Sequence, residues 1–232
     1  MKIGIMQPYL FPYLGYFQLI KAVDKFVIYD DVNYIVGGWV NRNRILLNGQ
    51  PHLFSLQISK KSQNKKINEL SIVPESNNRI RILSMIQSAY KRAPMYDQIF
   101  PIIRNILLNP EGNMSSYISR SIAEICKYLE IYTQILLSSE LEKDNKLKGE
   151  DKIMEISKVL GGDTYINAIG GQDLYLKNNF IKNNLELKFI QMDSVIYDQK
   201  TKVFIPNLSI MDVLMFNELK IVKKMLMMYS LI

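Results

Sequence analysis

Cysteine, histidine and tryptophan each occur once among the 232 residues, and each scarcity removes a class of chemistry. A lone Cys126 forms no intrachain disulfide and cannot hold zinc with other cysteines, which suits a reducing compartment. Its neighbours Ile122, Ala123, Ile125 and Leu129 suggest a buried helix face, not a nucleophile. His52 stands among strand-forming residues, so a carboxylate or a lysine is favoured over imidazole for acid-base work. No apolar run approaches the roughly 20 residues a membrane helix needs. Gln7, Pro8 and Pro12 interrupt the N-terminal apolar stretch too early for a signal-peptide core. A soluble, cytoplasmic protein without a membrane span is expected. Gly-x-Ser-x-Gly, Gly-x-x-x-x-Gly-Lys-Ser/Thr, Gly-x-Gly-x-x-Gly and His-Glu-x-x-His are all missing, and no internal repeat stands out.

What is present reads as an ordinary globular chain, with 48% hydrophobic and 22% charged residues, expected to form one α/β domain over residues 1–232. Lysine plus arginine outnumber aspartate plus glutamate by 29 to 22, a net charge of +7. Such a balance suits anionic partners such as a nucleotide sugar, ATP or tRNA, without choosing among them. Lys60, Lys61, Lys65 and Lys66 cluster in one polar loop, which reads as a solvated loop or a phosphate patch.

The chain is organised around residues 6–17, Met-Gln-Pro-Tyr-Leu-Phe-Pro-Tyr-Leu-Gly-Tyr-Phe. An apolar strand from Lys2 to Met6 precedes it, and Leu14, Phe17, Ile20 and Val23 recur at helical spacing after it. A strand, a stiff proline-bearing loop and a helix place polar groups beside the first amides of that helix, where anions bind. Phe26 to Tyr29 then forms a second strand ending at Asp30 and Asp31. If the two strands are parallel neighbours, both loops leave the same sheet edge.

Asn48-Gly49 between Arg42–Leu47 and His52–Ile58 signals a hairpin, and Ile67 to Val73 reads as a strand ending before Pro74. Helical periods follow over Arg79 to Ala93, Asp97 to Leu108, with Pro101 in its first turn, and Ser115 to Leu129. Further α/β alternation is expected: a strand at Gln134–Leu137, a helix at Gly149–Leu160, a strand from Thr164, a helix at Asp173–Lys182 and a strand at Leu185–Ile190. One or two helices should occupy Ser209–Tyr229, with Ser209 as N-cap and Asp212 completing a near capping box. The expected fold is α/β: a mixed, mainly parallel Rossmann-like sheet with an N-terminal β-loop-α-β unit, an inserted hairpin and a helical cap over about residues 79–130.

Asp30 and Asp31 are candidate proton acceptors, ribose ligands or magnesium ligands, or else a turn in which one acid caps an amide. Consecutive strand residues point to opposite faces, so both cannot be buried without partners. Arg42 and Arg44 share one strand face and could grip a diphosphate, or form surface salt bridges. Trp39, beside Gly37 and Gly38, could stack on a base or sugar, or merely pack. The second candidate segment is Tyr165 with Gly170 and Gly171.

At these segments the chain resembles the WbqC-like family: Met6-Gln7-Pro8 through Leu14-Gly15-Tyr16-Phe17, Tyr29-Asp30-Asp31-Val32, Gly38 through Ile45, Thr164-Tyr165 with Gly170-Gly171, and Ser209 through Leu214. The resemblance covers nearly the full chain. It implies a place in bacterial O-antigen or other surface-polysaccharide synthesis, with glycine transfer as the suggested activity. More distantly, the opening unit looks like nucleotidylyl transferases of the pantothenate-synthetase type, whose His-x-Gly-His positions are Tyr13 and Tyr16 here. A phenol donates a hydrogen bond without the positive charge of an imidazolium, so Arg42, Arg44 or Lys60 would have to supply it.

The expectation is a transferase that N-acylates a nucleotide-linked amino sugar. Asp30 or Asp31 takes the amine proton, Gln7 and Asn41 orient the carbonyl, and Tyr13, Tyr16, Trp39, Arg42, Arg44, Tyr165, Gly170 and Gly171 bind substrate. ATP with magnesium, or an aminoacyl-tRNA, would activate the acyl group. The rival expectations are a metal-dependent glycosyltransferase and a noncatalytic nucleotide-sugar or RNA binder.

Overall fold

The computed structural model describes residues 1–73 and 77–232. Pro74, expected to end a strand, lies outside them. Strand β1 (Lys2–Met6) feeds the proline loop and helix α1 (Leu14–Ala22), and β2 (Lys25–Ile28) returns parallel to β1, with Ile3 opposite Lys25 and Met6 opposite Ile28. The Asn-Gly hairpin follows as β3 (Arg42–Leu47) and β4 (Gln50–Ser55), with Asn48 and Gly49 both at positive φ as a tight turn between twisted strands requires. It forms its own two-stranded sheet and does not join the central one.

The stretch from Ile67 to Val73 is not a continuous strand. A single 3-10 turn occupies Ile67–Glu69, and only β6 (Ser71–Ile72) pairs, with β5 (Ile58–Ser59). Buried Ile67 and Leu70 point into the core three residues apart, a helical spacing that a strand cannot provide. Helices α2 (Asn78–Tyr90), α3 (Tyr96–Leu107) and α4 (Met114–Tyr128) come next, and Pro101 lies inside α3, beyond its first turn.

Strand β7 (Gln134–Leu137), helix α5 (Gly149–Val159), strand β8 (Thr164–Ala168), helix α6 (Lys177–Lys182) and strand β9 (Glu186–Met192) complete the alternation. The helix expected from Asp173 is shorter, because residues 169–174 form 3-10 turns before it. Helices α7 (Ile210–Phe216) and α8 (Leu219–Met225) precede β10 (Tyr229–Leu231), which pairs antiparallel with β9 where a helix end was expected.

The central sheet has six strands in the order β7-β2-β1-β8-β9-β10, parallel except for β10. Counting the parallel strands in chain order gives 3-2-1-4-5, so the winding direction reverses between β1 and β8. Alternate residues serve two cores. Ile3, Ile5 and Val27 pack with Ile153, Ile156 and Phe180 on one face. Phe26, Ile28 and Ile190 pack with α1, α4 and the C-terminal helices on the other. Helix α1 is buried from Leu14 through Ile20, as expected for a helix with protein on both sides.

Candidate functional site

A cleft of about 550 Å³ opens where the strand order reverses, at the carboxyl ends of β1, β8 and β9. Its floor is the proline loop and the start of α1, through Tyr9, Pro12, Tyr13 and Gly15. Ile169 and Gly170 contribute one wall, Ile190 and Met192 another, and the hairpin side supplies Trp39, Asn43 and Arg44. An adjoining apolar groove of about 510 Å³, lined by Leu14, Val195, Phe204 and Val213, shares Tyr13, Met192 and Asn207 with it.

The loop conformation is imposed from outside. Phe11 is fully buried with φ of 45°, a strained conformation for a non-glycine residue, and its neighbours hold it there. Asn43 Nδ2 donates to the Leu10 and Phe11 carbonyls at 3.0 and 2.7 Å. Ser209 Oγ also donates to the Phe11 carbonyl at 2.9 Å, and the Ile210 amide donates to the Pro12 carbonyl. Tyr13 is the N-cap of α1 and offers no capping side chain, and no acid occupies the first turn. An uncapped, acid-free N-terminus with Gly15 at the cleft surface favours an anion there.

Trp39 is 41% exposed, and the Arg42 and Arg44 guanidinium carbons lie 5.4 and 5.5 Å from its ring centroid. The two arginines differ in what they leave free. Arg42 spends Nε on the Gly38 carbonyl at 2.9 Å and a terminal nitrogen on the Gly37 carbonyl, so it shapes the turn carrying Trp39 and does not line the cleft. Arg44 lines the cleft, and its buried Nε has no hydrogen-bond partner in the protein.

Sequence reasoning missed Gln18, Gln191 and Asn207, which all line the cleft. Gln18 is fully buried, and its Nε2 donates to the Met225 and Met228 carbonyls at 2.8 and 3.0 Å, while Oε1 has no partner. A glutamine between Phe17 and Leu19 on the buried stretch of α1 is the available signal. Tyr9 lines the cleft as well. Burial raises the Tyr9 and Tyr13 phenols above their ordinary value, so both remain O–H donors at neutral pH.

Several residues expected in the site lie elsewhere. Tyr16 is buried in the core and donates to the Gln7 carbonyl at 3.0 Å. Gln7 is half-buried and does not line the cleft. Asn41 accepts from the Tyr34 hydroxyl and donates to the Leu56 carbonyl, both at 2.8 Å. Tyr165 lies in the other core, stacked on Phe180 and 3.2 Å from the Tyr175 hydroxyl. Gly171 is packed against Asn167, whose Nδ2 would stand 2.6 Å from an added Cβ; of the glycine pair, Gly170 alone lines the cleft.

The paired acids also lie outside the cleft lining. Asp30 is 1% exposed and receives the Ser115 and Ser139 hydroxyls at 2.8 and 2.7 Å, together with the Ser139 amide at 3.0 Å. It ties β2 to α4 and to the exit of β7. Asp31 Oδ2 sits 3.0 Å from Lys143 Nζ and 2.8 Å from Lys152 Nζ, and all three side chains are buried. Lys152 Nζ also lies 5.1 Å from the Tyr29 ring centroid. Burial raises the Asp31 carboxyl, but hydrogen bonds from Lys152 and Lys143 outweigh it and hold the group below the usual carboxylate range. Among the described residues no group of three or more His, Cys, Asp or Glu side chains could hold a metal ion. Cys126 is buried, which pushes its thiol up to about 12 and keeps it protonated. Asp212 turns inward to Tyr90, Tyr197 and Gln199 instead of completing a capping box, though Ser209 does cap α7.

The architecture defines a mainly parallel α/β protein with a cleft at the reversal of strand order. The chain belongs to the WbqC-like protein family, whose model matches residues 7–224. It is also 26% identical over 220 residues to an uncharacterized protein of Mycobacterium tuberculosis (strain ATCC 25618 / H37Rv), an alignment covering 93% of each chain. No solved structure matches. No helix among the described residues is long and apolar enough to cross a membrane.

Proposed function

We propose that this protein is a transferase acting on a nucleotide-linked amino sugar, adding an amino acid such as glycine to the sugar nitrogen during O-antigen or related lipopolysaccharide synthesis. The observation that carries the reading is Arg44, a cleft-lining guanidinium with an unpaired Nε, stacked on Trp39 in the same cleft as the uncapped start of α1. A diphosphate bridges those two positive ends, and Trp39 stacks on the base or sugar. Tyr13 and Gly170 border the sugar. The acyl donor, activated through ATP and magnesium or carried on tRNA, enters by the adjoining groove past Tyr13. Asp30, Asp31 and Asn41 hold the surrounding architecture. The test is mass spectrometry of nucleotide amino sugars incubated with the protein, ATP and amino acids, or with aminoacyl-tRNA. Gain of one amino-acid residue on the sugar is expected. With tRNA as donor, binding weakens steeply as salt rises.

A second reading, a noncatalytic nucleotide-sugar binder, is favoured by one observation: among the described residues lining the cleft none is a carboxylate, histidine, lysine or cysteine. Under it every sugar keeps its mass while binding persists. The metal-dependent glycosyltransferase gains nothing from Asp30 and Asp31, which are engaged by serines and lysines; transfer of sugar abolished by a chelator would revive it.

A further inference from the structure

Gln18 is a polar side chain with 0% exposure at the surface of a ligand cleft, and half of it is spoken for. An amide can be built with oxygen and nitrogen exchanged, but not here. Exchange would turn Oε1 toward the Met225 and Met228 carbonyls, oxygen against two oxygens, whereas Nε2 as placed satisfies both. The orientation is therefore fixed by the last residue of α8 and the segment that follows it. Oε1 is left as an acceptor without a partner, in a helix whose neighbouring positions are apolar. A buried carbonyl in this position is costly until a donor reaches it.

The surroundings restrict what that donor can be. The cleft wall near α1 is made by Ile190, Gln191 and Met192 of β9; no carboxylate lines the cleft among the described residues, and Asp193 lines the adjoining groove instead. An ammonium entering there would lose water and meet uncharged groups such as Gln18, Gln191 and Asn207, while Arg44 lies in the same cleft with the same sign of charge. An uncharged N–H meets no such penalty.

We infer that Gln18 Oε1 accepts a hydrogen bond from the amino group of the ligand, and that this amine occupies the cleft as the free base. The inference rests on the proposed reading of the cleft as a nucleotide-amino-sugar site. It supplies the step which that reading left without a proton acceptor. The amine loses its proton to solvent on entry, its lone pair is free for the acyl carbon, and Gln18 orients the nitrogen through the N–H. Attack forms the C–N bond and breaks the acyl–oxygen bond to the activated donor. The second proton then leaves with the departing oxygen or to water.

The test uses the wild-type protein, one variant and three probes: UDP, UDP-glucose and UDP-glucosamine, titrated calorimetrically from about pH 5.5 to about pH 8.5. We expect UDP-glucosamine affinity to rise about 10-fold per pH unit below the sugar amine's own pKa and then level off. UDP-glucose affinity, divided by that of UDP, should stay flat. In Gln18→Met, checked for an intact fold by circular dichroism, the preference for UDP-glucosamine over UDP-glucose at pH 8.5 should vanish. UDP-glucosamine affinity that is flat or falls with pH, while UDP binds, would overturn the role of Gln18 and leave the nucleotide site standing. Failure of all three probes to bind would overturn both.

Discussion

The ring of Tyr13 lies across Gly15 so closely that a Cβ added at Gly15 would stand 2.4 Å from Tyr13 Cε2. Both residues line the cleft, so the hydrogen side chain at 15 is what lets the phenol lie over the first turn of α1. Gly15→Ala should displace Tyr13 without unfolding the protein, because alanine favours the helix by about 1 kcal/mol. We expect nucleotide-sugar affinity to fall by at least ~10-fold, equivalent to ~1.4 kcal/mol. Calorimetry beside a thermal melt checks it; unchanged affinity would remove Tyr13 from the site.

Arg44→Lys keeps the charge but loses the planar fork and its stack on Trp39, so UDP affinity should drop ~10-fold or more at an unchanged Tm. Arg42→Lys should do the reverse. Its donors serve the Gly37 and Gly38 carbonyls, and losing them loosens the turn, lowering Tm by about 2–4 °C with a smaller effect on binding. Equal effects of the two changes would contradict the division of labour between them.

Asp31→Asn leaves two buried ammonium groups facing no carboxylate and should destabilise the fold by about 3–5 kcal/mol, read from urea midpoints at pH 7. The Asp31 carboxyl is held below its ordinary value, so its stabilising contribution is present above that value and fades as pH falls through the lowered one. The gap between wild type and variant should accordingly shrink below about pH 4.

Asp212 behaves oppositely. Burial raises its carboxyl, although the Tyr197, Tyr90 and Gln199 donors partly offset the shift. Its contribution is complete below the ordinary carboxylate value of ~3.9 and is lost as pH rises through the elevated one. Wild type should therefore gain Tm relative to Asp212→Asn on going from pH 7 to pH 4. A constant difference would show that Asp212 titrates normally.

The opening unit was legible because its signals are local. An apolar run, a proline loop and a helical period fall in sequence, and the shared edge where the loops after β1 and β2 emerge follows from their parallel pairing. Tyr13, Trp39, Arg44 and Gly170 were visible as residue types suited to a phosphorylated ligand, and they meet in one cleft. The paired acids show where sequence stops. Consecutive strand residues do diverge, but Ser115, Ser139, Lys143 and Lys152, which meet Asp30 and Asp31, come from segments 85 to 121 positions away. Tyr16 is separated from Tyr13 for a geometric reason: Tyr13 is the extended N-cap outside α1, whereas Tyr16 lies within the helix and is buried, its hydroxyl donating to the Gln7 carbonyl. Gln18 and Asn207 carry no motif at all, and only the packing of α1 against the C-terminal segment gives Gln18 its orientation.

That packing has a consequence for biosynthesis. The amide of Gln18 is oriented by carbonyls more than 200 positions downstream, so a nascent chain displays Tyr13 and Arg44 long before the back of the cleft exists. The back of the cleft can therefore close only after the last segment has folded onto α1, which makes this packing a late step in folding.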